Sequence, residues 1–103
     1  MATRESIEFD FRKALSEADI IDEIAERLGT LSNNKFENTM QNLAASWKGD
    51  NASSYLRKGE KLQSSMSRTS NELHSIATDI RTAARRLYEA EMAALEIAQR
   101  RDY

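Results

Sequence analysis

The sequence predicts an all-α protein, an antiparallel two-helix hairpin that dimerises into a four-helix bundle. Three observations lead to this prediction: Pro is absent and Gly occurs only three times in 103 residues, two long segments have apolar residues at helical spacing, and a Gly lies between these segments. An average chain of this length has about five Pro and about seven Gly. Their scarcity argues against turn-rich β-sandwiches and barrels. We expect one domain, covering residues 1–103.

The first predicted helix covers about residues 11–46. Its face residues recur at a mean spacing of about 3.7, which keeps them on one side of a nearly straight helix. Asp10 and Ser16 are the candidate N-caps, and residues 1–10 are expected to be extended or frayed. Residues 29–34 have low helix propensity, so the helix either continues through them or is kinked or broken there. The face comprises Phe11, Leu15, Ala18, Ile21, Ala25, Leu28, Ser32, Phe36, Met40, Leu43 and Trp47.

The second predicted helix covers about residues 51–99. From Tyr55 to Ile97, thirteen positions follow one another in alternating steps of four and three residues, and eleven of them are apolar. This spacing corresponds to six heptads, the pattern of a helix that packs along a seam against partner helices. Asp50 is the candidate N-cap, and an Arg pair at the other end suits the negative end of the helix dipole. At this length the helix would extend roughly 70 Å.

Trp47, Lys48 and Gly49 lie between the two predicted helices. A Gly directly after one periodic segment and an Asp directly before the next indicate that one helix ends and another begins. A connection this short makes the neighbouring helices antiparallel. The two halves also differ in charge, net −4 for residues 1–50 and net +2 for residues 51–103, which reduces repulsion between paired helices.

Apolar residues cover more of each predicted helix than its neighbour in the hairpin can bury. Two helices touch along one line only, and the second helix extends past the first by about a dozen residues. We therefore expect two hairpins to form a four-helix bundle, either as a homodimer or as a heterodimer with a similar small helical protein. The predicted seam comprises Ile21, Leu28, Phe36, Met40, Leu43, Leu62, Met66, Leu73, Ile76, Ile80 and Leu87.

The composition excludes or disfavours several kinds of chemistry. The chain has no Cys, which excludes a thiolate nucleophile, and the single His74 cannot form a multi-histidine metal site. The acidic cluster in residues 19–26 lacks the Glu-X-X-His pairs of di-metal bundles and is interpreted as solvated surface. We expect no enzymatic activity, no cofactor and no metal. The net charge of −2 argues against nucleic-acid binding, and no apolar run is long enough to span a membrane.

A chain of this length with two long helices and Trp47-Lys48-Gly49 at the turn resembles the WXG-motif family. These proteins are the small early-secretory-antigen-like substrates of type VII secretion in Gram-positive bacteria. The resemblance covers about residues 7–101, and its second half includes the stretch from Leu73 to Glu91, which is similar to the family's second helix. It implies a small, secreted, non-enzymatic interaction protein that is made in the cytoplasm and exported by a signal-peptide-independent route.

The resemblance also implies which residues signal export. In the family, the export ATPase recognises the Trp-X-Gly turn together with a C-terminal signal, a Tyr followed four residues later by Asp or Glu. Here Tyr88 is followed by Glu91 at three residues and by Met92 at four. Tyr88 and Glu91 share roughly one helix face, so they are either a degenerate signal or flanking residues of the bundle. A dimer partner with the full signal, or a larger secreted effector, would then be the companion in export.

Two other functions fit the same fold. The first is a cytoplasmic structural or chaperone-like helical bundle with no export role, in which Trp47 only closes the open end of the hairpin core. The second is a pair of amphipathic helices at a membrane surface, which the negative net charge disfavours because interfacial helices favour Lys and Arg. Export of the chain distinguishes the first of these functions from that of a type VII substrate.

Overall fold

The computed structural model of the chain describes residues 2–47 and 49–101, without the side chains of residues 50 and 51. Helix α1 covers Arg4–Thr30, a π-helical segment covers Leu31–Phe36, helix α2 covers Glu37–Ser46 and helix α3 covers Asp50–Arg101. No residue of the two described ranges lies in a β-strand. The prediction of an all-α protein with two long helical segments is therefore confirmed.

The helices form two compact units, one from Met1–Ile21 and Ser75–Tyr103 and the other from Asp22–His74. Within each unit, residues later in the first helical segment contact residues earlier in α3, so the two helices are antiparallel. These contacts include Phe11–Tyr88 and Asp19–Arg81 in the first unit, and Asp22–His74 and Ser32–Ser67 in the second. The assignment of residues 1–103 to one domain stays a prediction.

Helix α1 begins at Arg4, so the expectation that residues 1–10 are extended or frayed is wrong for residues 4–10. Thr3 caps this helix: the Ser6 N–H donates to Thr3 Oγ1 at 3.1 Å, and the Thr3 N–H donates to Ser6 Oγ at 2.9 Å. This reciprocal pair satisfies amides that the first turn would otherwise leave free. Ile7, one turn further on, is buried. Asp10 and Ser16, the predicted caps, consequently lie inside the helix.

The helical backbone continues through the weak segment at residues 29–34, but its hydrogen bonding changes. Thr30 and Glu37, on either side of the π-helical segment, both have α-helical backbone angles. The helix is therefore not broken at this segment, and its π-helical bonds were not predicted from residue spacing. Ser32 in this segment has no exposed surface. π-Helical turns in longer helices often coincide with functional positions or inserted side chains.

Small residues line the helix contacts of both units. Ala18 and Ala77 in the first unit and Ala25 and Ser32 in the second have no exposed surface. The distance between two helix axes depends on the side chains at their contact, so small residues bring the helices close together. Large apolar residues therefore flank these contacts instead of filling them. Among the described residues, no helix has both the length and the apolar character that crossing a membrane requires.

Candidate functional site

The turn between α2 and α3 is built from Trp47 and Gly49, while Lys48, the residue between them, lies outside the described residues. Trp47 leaves the helical conformation with φ −107° and ψ 117°, and its N–H donates to the Leu43 carbonyl at 2.8 Å. Gly49 has φ 111°, in the region that only Gly occupies readily. Its carbonyl accepts from the Ser53 N–H at 3.1 Å in the first turn of α3. Gly49 thus allows the reversal of direction that the sequence predicted.

The Trp47 side chain stacks on Tyr55, which lies two turns into α3. The ring centroids are 5.8 Å apart and the planes are inclined by 16°. Both rings remain accessible, with 42% of Trp47 and 58% of Tyr55 exposed. The Lys58 ammonium lies 5.0 Å from the centroid of the Tyr55 ring. We call Trp47, Tyr55 and Lys58 the turn cluster; its exposure argues against Trp47 being a plug inside a core.

Sequence reasoning placed Tyr55 at the start of the heptad pattern and missed its contact with Trp47. The sequence feature that could have indicated this contact is a second aromatic residue eight positions after the Trp. In a hairpin, residues near the end of one helix and in the second turn of the next lie within side-chain reach. Ala52, in the first turn of α3, is 1% exposed, so the helix that carries Tyr55 is packed firmly from its start.

Tyr88 and Glu91 lie together on one side of α3, both half-buried. The Tyr88 ring stacks on Phe11 of α1, with centroids 4.7 Å apart and planes inclined by 25°. Tyr88 and Glu91 line a small surface cavity together with Ile7 and Phe11. The spacing correctly indicated that Tyr88 and Glu91 share a face, whereas the Phe11 contact was not expected. Their role as an export signal stays a prediction.

The predicted seam divides into half-buried and exposed residues. Large apolar side chains that a helix pair cannot cover remain available to another surface. The half-buried members are Ile21, Leu28, Phe36, Met40, Met66, Leu73 and Ile80. The exposed members are Leu43, Leu62, Ile76 and Leu87. Their role as a dimer seam stays a prediction.

One set of positions on α3 is exposed at every heptad. A helix with a repeat of seven places these residues along one line. Six of the seven are apolar, with Thr69 as the exception, and Tyr55 also belongs to the turn cluster. The positions are Tyr55, Leu62, Thr69, Ile76, Ala83, Ala90 and Ile97. The heptad spacing of the sequence therefore includes positions on the exposed surface of α3 as well as positions that flank its contact with the earlier helix.

Two polar contacts, an Arg–Asp ion pair and a His–Asp hydrogen bond, lie on one side of the helix contact. In the first unit an Arg81 guanidinium nitrogen lies 2.7 Å from Asp19 Oδ1, and in the second His74 Nδ1 lies 2.7 Å from Asp22 Oδ1. Successive residues of an α-helix are rotated by about 100° about the helix axis. Arg81 and His74 therefore lie on the same side of the buried Ala77. These pairs are partly solvated, so each adds little to the stability of the fold.

The apolar side chains lie on the opposite side of both helices. On α3, the same 100° step puts Leu73, Ile76 and Ile80 on the side away from these two polar contacts. On α1, it puts Ile21 and Ile24 on the side away from the two Asp residues. Since the two polar contacts join like sides of the paired helices, each unit has one polar face and one apolar face. In each unit, we call the latter the apolar face.

Side-chain hydrogen bonds connect the π-helical segment to α3 inside the second unit. The Ser32 hydroxyl donates to the Gln63 carbonyl at 3.1 Å and lies 2.9 Å from the Ser67 hydroxyl. The Gln63 amide donates to the Ser32 carbonyl at 3.0 Å and to Glu37 Oε2 at 2.6 Å. This network fixes the register of the two helices, because a shift along either axis would leave buried polar groups unpaired.

Titratable side chains are spread along the helices and do not converge. In the part of the chain that the structure describes, no three His, Cys, Asp or Glu side chains come together as metal ligands. His74 is oriented by Asp22. The arrangement as a whole offers surfaces for association, at the turn cluster and on the apolar face.

Comparison with known proteins relates the chain to a protein family. The family model described as "WXG100: Proteins of 100 residues with WXG" matches residues 6–92. The matched range includes the Trp47–Gly49 turn, the turn cluster and the Tyr88–Phe11 stack. No curated protein and no solved structure matches the chain.

Proposed function

Because the chain belongs to the WXG100 family, whose members are small type VII secretion substrates that typically form dimers, we propose that it is exported as a dimeric, non-enzymatic interaction protein. Its mechanism is recognition: a partner covers the apolar face, and the export machinery binds the Trp47–Gly49 turn. The observation that carries this proposal is the exposure of large apolar side chains along the helices of both units.

The apolar face has the character of a protein interface. On α3, Leu62 is 53% exposed, Ile76 46% and Leu87 59%. Full burial of such a side chain contributes about 1.5–3 kcal/mol, so each of these residues would add about 1 kcal/mol on being covered. Residues on the neighbouring helices, such as Ile24 and Leu31, add to the same kind of surface. Clustered exposed apolar residues are typical of association sites.

A second helix pair is the partner that fits this surface best. The exposed residues follow helical lines, and a helical line is covered most completely by another helix whose side chains enter its grooves. Two helix pairs joined in this way form a four-helix bundle. The partner is a second copy of the chain or a similar small helical protein, and a larger effector with such a helix pair would use the same face.

The Trp47–Gly49 turn is the part of the surface that we assign to the export ATPase. Trp47 is accessible, and exposed Trp residues are among the most effective contact residues in protein recognition. The positive φ of Gly49 allows the chain reversal that places the Trp47 indole at the surface. The position of the indole outside the core supports this role over that of a packing residue.

Tyr88 and Glu91 form the second, weaker part of the proposed signal. Tyr88 is followed by an acidic residue at three positions instead of four, and its ring is partly covered by Phe11. A signal of this kind would bind weakly on its own. We therefore propose that the partner contributes its own C-terminal signal, so that the chain is exported as one member of the pair.

Replacement of Trp47 tests the proposal. In a host with a type VII system that exports the chain, Trp47→Ala should abolish its accumulation in the culture supernatant while helicity by circular dichroism is retained. Phe9→Ala is the matched control, because Phe9 is an exposed aromatic residue of α1 away from the turn. Unchanged export of Trp47→Ala would contradict the proposal and favour a cytoplasmic helical bundle.

A further inference from the structure

We propose that Tyr55 is a positioning residue of the export signal, whose ring holds the Trp47 indole in the orientation that the export machinery binds. This inference rests on the proposed function, in which the turn is recognised. Tyr55 itself need not touch the machinery. Its contribution is to restrict the orientation of a neighbouring side chain before binding occurs.

The geometry of the pair supports a holding role. The two ring planes are inclined by only 16° at a centroid distance of 5.8 Å, which is an offset stacked arrangement. The rings come from different elements, since Trp47 follows α2 and Tyr55 lies within α3. Their contact therefore ties the extended residue at the end of one helix to the rigid backbone of the next.

An accessible indole needs such a restraint more than a buried one does. Trp47 has an extended backbone, and 42% of its surface is exposed, so a packed core does not fix its side-chain torsions. Immobilising a free side chain on binding costs conformational entropy, and a side chain held beforehand avoids most of that cost. A stacked indole would accordingly bind more tightly than a freely rotating one.

Tyr55 is itself held in place. It lies on the second turn of α3, three residues after Ala52, which is buried. The Lys58 ammonium lies 5.0 Å from the centroid of the Tyr55 ring, a cation–π distance. Tyr55 is restrained by its helical backbone and by Lys58 at the face of its ring, so it can restrict the orientation of the Trp47 indole. Lys58 is exposed, so its own contribution is expected to be small.

The chain has one Trp, so indole fluorescence reports on Trp47 alone. We would measure fluorescence anisotropy and acrylamide quenching for wild type, Tyr55→Ala and Tyr55→Phe, together with export into the culture supernatant. Tyr55→Ala should lower the anisotropy, raise the quenching, and reduce export by about twofold to tenfold, the range expected for a lost aromatic stack. Tyr55→Phe keeps the ring and should restore wild-type values in all three measurements.

Leu62→Ala is the control for an indirect effect through dimerisation. Leu62 lies one heptad after Tyr55 on the same exposed line, beyond the turn cluster. If Tyr55→Ala weakens dimerisation in sedimentation velocity as much as Leu62→Ala does, and both lower export equally, the Tyr55 effect is one of association and the inference is wrong. The inference also fails if Tyr55→Ala frees the indole without reducing export, or if the indole is as immobile as in wild type. Unchanged export of Trp47→Ala is a separate result, and it overturns the proposed function itself.

Discussion

The hydroxyl of Ser32 lies 2.9 Å from the hydroxyl of Ser67, inside the contact between the π-helical segment and α3. The Ser32 hydroxyl also donates to the Gln63 carbonyl, and the residue has no exposed surface. Polar atoms buried in this way favour one alignment of the helices, because alternative registers would leave them without partners. The contact therefore combines small side chains, which allow close approach, with hydrogen bonds, which fix where the approach occurs.

Removing this hydroxyl should weaken the fold. We expect Ser32→Ala to lower the free energy of unfolding by about 1–2 kcal/mol, because Ser67 then loses a buried partner. Urea unfolding followed by circular dichroism, at one protein concentration for all variants, measures the change. Ser64→Ala, at an exposed position of α3, is the control and should differ from wild type by less than about 0.5 kcal/mol. Equal stabilities for the two variants would contradict the role of the Ser32 network.

Replacement of Gly49 should destabilise the turn through its backbone alone. Apart from its chain neighbours, a Cβ at Gly49 would meet no atom within 4 Å, but the φ of 111° disfavours any L-residue. We expect Gly49→Ala to cost about 1–2 kcal/mol, measured by thermal unfolding. A synthetic chain with D-Ala at this position keeps the methyl group and permits positive φ. If the D-Ala chain were as unstable as Gly49→Ala, steric crowding would be the cause instead.

The helices could be predicted from the sequence, because their apolar spacing persists over many turns. Sequence reasoning placed the chain reversal at Trp47–Gly49 from one Gly between two periodic segments, and the structure has its positive φ at Gly49. The start of α1 was missed, since the Thr3–Ser6 cap is a pair of local hydrogen bonds that apolar spacing does not reflect. The π-helical bonds at Leu31–Phe36 were missed for a similar reason, because they depend on tertiary partners.

The candidate site was harder to predict than the helices. A heptad pattern identifies residues that share a helix side, but the line at Ala77 faces the intrachain partner and the line at Ile76 faces outwards. Adjacent residues on a helix differ by about 100°, so the rotation of α3 about its axis decides which of these two lines faces the partner helix. The stacks on Trp47 and Tyr88 depend in turn on how the helices pair, which a single-helix pattern does not contain.

A charge on the apolar face should prevent association. We expect Ile76→Glu to weaken self-association by about a hundredfold in Kd, because each copy would have to bury a carboxylate at the interface. Sedimentation velocity over a range of concentrations measures this change. Ser75→Glu adds the same charge at the neighbouring exposed residue, on the outer side of α3, and should dimerise like wild type.

The dimer prediction is open to two contrary results. If both Glu variants dimerise as wild type does, the apolar face is not the interface. If the wild-type chain alone sediments as a stably folded monomer at micromolar concentration, the second copy is excluded as partner, and a similar helical protein remains the one to identify by co-expression.

Loss of the Phe11 ring should loosen the first unit selectively. Phe11 stacks on Tyr88 with centroids 4.7 Å apart, and both residues are half-buried. Truncation of a fully buried Phe costs about 3–5 kcal/mol, so Phe11→Ala at half burial should cost about 2 kcal/mol. Where local opening limits amide exchange, lowering the free energy of opening by about 2 kcal/mol speeds exchange by about thirtyfold.

Hydrogen exchange resolved by peptide distinguishes this local effect from a general one. We expect faster exchange in α1 up to residue 21 and in α3 after residue 84, with peptides of the second unit, such as those from residues 36–46, unchanged. Phe11→Leu keeps apolar contact but removes the aromatic stack, so its exchange should lie between wild type and Phe11→Ala. A uniform increase along the whole chain would indicate global destabilisation, and the Phe11–Tyr88 stack would then not be a local anchor of Tyr88.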